Sequence, residues 1–204
     1  MALRRFSPSA LVAALNELRG SIGQIQFFGP RHQKSRERYC AGHFSAGFEA
    51  ALEQCTVVFE EPDPQNEVDF YLEVRCTLHP FQVTEVQEPG RRRGDELKRL
   101  SKGEVVHADV KAMFTNGYEW IRAAILRKLS AYGGNVKDLN LLVYVNLPGG
   151  ELEYEPICNA LSDDAAAFAS VWLMTGNAIA CVRANAALGE LSCWYKTPFA
   201  SSEA

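Results

Sequence analysis

Residues 67–88 read EVDFYLEVRCTLHPFQVTEVQE. Two arms rich in β-branched and aromatic residues, with Pro80 near the start of the second, predict a pair of antiparallel strands joined by a turn. Acids stand where a half-buried strand should be apolar. Alternation sets Asp69, Tyr71 and Glu73 on one face of the first arm, and Val83, Glu85 and Gln87 on one face of the second. A turn around Leu78 puts Asp69 opposite Gln87 and Tyr71 opposite Glu85, so the polar groups share a face; a slip of one residue separates them. An Asp opening one strand and a Glu-Val-Gln on its neighbour suit a hard divalent cation. Mg²⁺ or Mn²⁺ takes oxygen ligands, commonly one or two carboxylates with several retained waters. The ligand set so read is Asp69, Glu85 and the main-chain carbonyl of Val86. The bland alternative is an amphipathic hairpin with a solvated acidic face.

The segments on either side set this hairpin in an α/β frame. Phe44, Phe48, Ala51, Leu52 and Cys55 recur at helical spacing and predict a helix over 42–54. A strand follows over 55–60, and the Pro-flanked run 61–64 is turn chemistry, including its Pro62-Asp63 pair. Beyond the hairpin, Pro89-Gly90 breaks the ladder and 94–101 is helical. A longer helix over 115–132 ends at Gly133-Gly134. The run NLLVYVNL at 140–147 is almost continuously apolar, as a parallel strand covered on both faces should be. A right-handed crossover then makes this strand parallel to the second arm of the hairpin.

This order of elements, with Asp69 opening the second meander strand and Glu85-Val86-Gln87 closing the third, resembles the PD-(D/E)xK, restriction-endonuclease-like nuclease superfamily over 40–147. The resemblance implies a central mixed sheet, an antiparallel meander plus a parallel crossover strand, flanked by helices. It implies Mg²⁺-dependent hydrolysis of phosphodiester bonds in nucleic acid, with DNA the leading substrate. Within it, Asp69 and Glu85 hold the metal with the Val86 carbonyl. Glu49, on the first core helix, acts through a water. Gln87 stands where the family usually has Lys, and no Pro precedes Asp69. A Gln can hold a water or a phosphate by hydrogen bonds but carries no charge. That departure keeps a second reading open, a nuclease-like fold that has lost catalysis and serves as a binding or assembly subunit.

Basic residues flank the acids. Arg91, Arg92 and Arg93 follow the third strand at once, and three guanidinium groups beside a carboxylate site suit phosphates on either side of a scissile bond. Lys34 and Arg36 belong to a basic run over 31–38 that reads either as a solvated face or as a phosphate-contacting arm.

Ser7 and Pro8 start a first helix that Gly20 ends, and 22–28 reads as a short strand. The C-terminal part, 148–204, is expected to hold a short edge strand or loop at 151–155, a helix over 162–175 capped by Ser162, Asp163 and Asp164, a final pair of strands and a loose tail. With 204 residues and 47% hydrophobic content, the chain is expected to form a single domain. A net charge of −4 argues against a nonspecific nucleic-acid coat protein. No apolar run reaches bilayer length, so a cytoplasmic location without membrane contact is expected, and a homodimer is compatible with the sequence. The six cysteines have no framework spacing and read as free thiols, although Cys40/His43 and Cys76/His79 form two C-x-x-H pairs that together suit tetrahedral zinc.

Overall fold

The computed structural model describes residues 2–27, 29–61, 68–90, 93–105, 110–134, 136–146, 154–175, 178–184, 188 and 195–196. Its first strand, β1 (Ala2–Phe6), has no counterpart in the sequence reading. Three of its five residues are apolar, yet Arg4 and Arg5 hide the alternation. Arg4 pairs with Glu61 at 2.9 Å and Arg5 with Glu73 at 3.0 Å, and charged side chains are a usual device on a strand with an open edge.

Helix α1 (Pro8–Ile22) starts as expected, with the Ser7 hydroxyl accepting from Ala10 N–H and Pro8 in the first turn. It runs past Gly20 and ends where Gly23 takes a φ of 82°. The expected strand at 22–28 is instead the end of α1 and a helical turn, α2 (Gln24–Phe27). Helix α3 (Gln33–Ala51) begins well before residue 42, because the basic run forms its first two turns. Gly42 lets α1 and α3 approach closely: a Cβ there would stand 3.3 Å from Leu11 and Val12.

The strands β2 (Thr56–Glu61), β3 (Phe70–Val74) and β4 (Thr77–Val86) form the expected antiparallel meander. Helices α4 (Arg93–Leu100) and α5 (Val110–Ala131) follow, and β5 (Asn140–Val145) pairs parallel to β4 as predicted. The C-terminal part departs from expectation. Residues 154–161 form helix α6 (Tyr154–Leu161), and the segment expected to be helical up to Thr175 is strand β6 (Ser170–Thr175), parallel to β5. SVWLMT is buried along almost its whole length, so nothing in its periodicity separates a core strand from a core helix. Asp163 and Asp164 therefore cap no helix; they lie in the turns after α6, where Asp164 pairs with Arg122 at 2.8 Å. Strands β7 (Ala178–Arg183) and β8 (Tyr195–Lys196) close the sheet antiparallel.

Among the described residues, eight strands lie in one mixed sheet, in the order in which they occur along the chain. One face packs on α1 and α3 through Phe44, Phe48, Phe70, Phe81 and Trp172, and the other on α5 and α6 through Ile121, Ile125, Leu141, Val143 and Leu173. The fold is thus α/β, a mixed sheet between two helical layers. Among the described residues, no helix is long and apolar enough to cross a membrane.

Candidate active site

The hairpin turns at Arg75 and Cys76, not around Leu78, with Val74 opposite Thr77 and Phe70 opposite Phe81. Two residues with φ of 49° and 64° make the tight reversal. The expected pairing of Asp69 with Gln87 and of Tyr71 with Glu85 is therefore wrong by several positions. Tyr71 faces Pro80, and Asp69, just before β3, stands beside Phe81, Gln82 and Val83.

Because β3 starts at Phe70, β4 runs on past it, and the Asp69 side chain takes over the missing strand's hydrogen bonding. Asp69 N–H donates to the Phe81 carbonyl at 2.8 Å. Its Oδ2 accepts from Val83 N–H at 2.7 Å and from Gln82 Nε2 at 2.6 Å. Burial raises the Asp69 pKa above the usual carboxylate range. The Val83 N–H opposes that shift, nearby Glu37 adds to it, and Gln82 and Lys34 oppose it. Gln82 is itself held from the other helical layer: its Oε1 accepts from Lys128 Nζ at 3.1 Å and from the Tyr132 hydroxyl. Burial lowers the Lys128 pKa, while the Asp69 carboxylate pulls it back up.

Glu85 lies further along β4, three residues beyond Gln82, or ~10 Å of strand. Its side chain shares a face with Val83, and its Oε1 accepts from Asn146 Nδ2 at 2.7 Å. It lines a cleft of about 100 Å³ with Gln33, Arg36, Glu37, Cys40, Val83 and Tyr144. Asp69 lines a separate cavity of about 10 Å³, roughly the room one water needs, with Lys34, Glu37, Arg38, Glu60 and Tyr71 among its walls. Glu37 borders both. Its carboxylate accepts from Gln33 Nε2 at 2.9 Å and meets Lys34 Nζ at 3.2 Å.

Both spaces lie toward the carboxyl ends of β4 and β5, where the open edge of a parallel α/β sheet usually receives a ligand. The first half of α3 covers them and supplies Lys34 and Arg36, two of the basic residues singled out in the sequence. Arg91 and Arg92 lie outside the described residues, and of Arg93 only the backbone is described.

Three expected site residues are misplaced. Glu49 sits twelve residues beyond Glu37 on α3, about 18 Å away along the helix axis. It lies toward the opposite end of the sheet, where its charge acts on Cys55. The expectation failed because α3 starts earlier than its apolar stripe suggested. The Val86 carbonyl accepts from Asn146 N–H at 3.1 Å and so points toward β5, away from Asp69. Gln87 follows β4 directly and lines neither of the two cavities.

The donor chemistry still suits a hard divalent ion, since Asp69, Glu85 and Glu37 offer only oxygen. Among the described residues, no three His, Cys, Asp or Glu side chains come close enough to hold a metal together. An ion here would rest on one or two carboxylates and water, which is the usual arrangement for Mg²⁺. The zinc expectation does not survive. Cys76 is exposed at the hairpin tip, while Cys40 lies in the middle of α3 and lines the Glu85 cleft.

Sequence reasoning missed Glu37, Gln82, Lys128 and Tyr132. One signal was present for Gln82, a polar side chain on a strand covered on both faces. Lys128 and Tyr132 are one helical turn apart beside an apolar stripe, which suggests a shared contact but does not name it. The chain matches no known protein family, and no curated protein or solved structure is significantly similar to it.

Proposed function

We propose that this protein is a divalent-metal-dependent nuclease that hydrolyses phosphodiester bonds of nucleic acid, DNA first, with Asp69 and Glu85 as its principal acids. The observation that carries this reading is the position of Glu37. It lines both the Asp69 cavity and the Glu85 cleft, so an acid on the basic first half of α3 connects the spaces of the other two. The order helix, three-strand meander, crossover helix, parallel strand supports the PD-(D/E)xK resemblance. Glu37 takes the part assigned to Glu49.

Bound there, Mg²⁺ or Mn²⁺ supplies an acidified water and offsets charge on the phosphodiester. The chain's own residues do the rest. One or two of Asp69, Glu85 and Glu37 would hold the ion, with water completing its shell. Lys34 and Arg36 place positive charge where phosphates would enter, and Arg can grip a phosphate with two hydrogen bonds. Gln87 lines neither cavity, and its amide could not act as a cation in any case.

The test is cleavage of single-stranded and duplex DNA and RNA with Mg²⁺ or Mn²⁺. Asp69→Asn, Glu85→Gln and Glu37→Gln should each lower the rate about 100-fold or more while leaving the far-UV circular dichroism spectrum of the folded protein unchanged. Full activity in Asp69→Asn or Glu85→Gln would remove the assignment. One observation favours the second reading, an inactive binding or assembly subunit: Asp69 Oδ2 and Glu85 Oε1 are already satisfied by neutral donors. Calorimetry with Mn²⁺ separates the two, since a scaffold has no need of an ion at these acids.

A further inference from the structure

Gln82 is 6% exposed, in the part of β4 that lies between the two helical layers. Both ends of its amide are in use. The oxygen takes two donors, Lys128 Nζ and the Tyr132 hydroxyl, and the nitrogen donates to Asp69 Oδ2. A flipped amide would turn its NH₂ against an ammonium group, so the network itself fixes which end faces Asp69.

The consequence for Asp69 follows from counting its oxygens. Oδ2 receives Gln82 Nε2 and Val83 N–H, whereas Oδ1 has no hydrogen-bond partner among the described residues. The chain of bonds starts on α5, crosses the sheet where β3 has not yet begun, and ends on a carboxylate that borders a cavity under α3. A strand in place of Asp69 would block that passage.

We propose that Lys128 and Tyr132 are positioning residues for Asp69: by clamping Gln82 they commit Oδ2 to the protein and leave Oδ1 as the oxygen that meets a divalent cation. The identity of that ligand rests on the nuclease reading, whereas the clamp does not. Lys128 also places a positive charge near Asp69, whereas position 87, just after β4, carries none. It acts through Gln82, not by touching the substrate.

Two measurements test this separately from the nuclease assignment. The first needs no ligand. In urea unfolding of wild type, Lys128→Met, Asp69→Asn and the double variant, the clamp predicts a coupling of about fivefold or more in the unfolding equilibrium. Additive effects would overturn it. The second is calorimetry with Mn²⁺ alone. Gln82→Met and Lys128→Met should weaken binding about tenfold, as loss of a group that orients a metal ligand commonly does. Lys128→Arg should recover most of it, and Tyr132→Phe should fall between. Unchanged Mn²⁺ affinity in Lys128→Met would also overturn the proposal. A wild-type protein that binds no Mn²⁺ would instead sink the nuclease reading, and the coupling measurement would still decide the clamp.

Discussion

Arg75 and Cys76 show how much a single backbone angle can hide. Their positive φ values belong to a two-residue hairpin loop, yet neither is the Gly or Asn that usually marks one. The sequence therefore offered no cue to the turn, and the register was misread although both strands were recognised. A left-handed residue other than Gly costs ~1–2 kcal/mol, and the Arg75–Glu53 ion pair at 2.8 Å is too exposed to offset much of it. Cys76→Gly keeps that pair and should raise the stability by about 0.5–1 kcal/mol in chemical denaturation, after the greater freedom of Gly in the unfolded chain is subtracted. A clear loss would mean that the Cys76 side chain contributes something its exposure does not suggest. His43 yields a prediction of another kind. Burial, with Arg19 nearby, pushes its pKa down to about 4. The unfolded chain then binds a proton that the folded one refuses, so stability falls as pH drops from about 6.5 toward 4, by up to about 3 kcal/mol. Asp69, shifted upward, works in the opposite sense at acid pH. His43→Phe should flatten the acid side of a melting-temperature profile, and an unchanged profile would contradict the assignment.

At the scale of elements, α3 does two jobs with two halves. Its second half is nearly all buried, and Phe44 meets Phe81 at 5.1 Å and Trp172 at 5.3 Å between ring centres, tying the meander to β6. Phe44→Ala should cost about 3–5 kcal/mol in urea unfolding. A loss below 1 kcal/mol would show that the aromatic cluster closes over the gap. The first half carries Lys34, Arg36 and Glu37, and it was the harder half to read. A helix whose apolar stripe begins only at its third turn looks shorter than it is, which moved the expected acid from Glu37 to Glu49. By contrast, NLLVYV was legible as a parallel strand because a strand reads simply as an unbroken apolar run when both its faces are covered. SVWLMT has the same character, but the acidic turn before it resembled a helix cap, and the cap signal prevailed in the reading.

On the scale of the whole molecule, the α/β class, the meander and the parallel crossover were readable from the order of segments, since each followed from local periodicity. The meeting of Asp69, Gln82, Lys128 and Tyr132 was not, because it depends on where β3 stops and how α5 lies across the sheet. Among the described strands, neighbours in space are also neighbours in sequence. Such a sheet can be laid down row by row as the chain leaves the ribosome, each new strand finding its template already in place and none waiting for a distant mate. In refolding followed by pulsed hydrogen exchange, amides of β2 to β4 should become protected no later than those of β6 and β7; the reverse order would mean that assembly nucleates at the carboxyl end. A chain built this way should also tolerate shortening from its last strand inward far better than any cut near its beginning, where removing one row strips the template from all that follow.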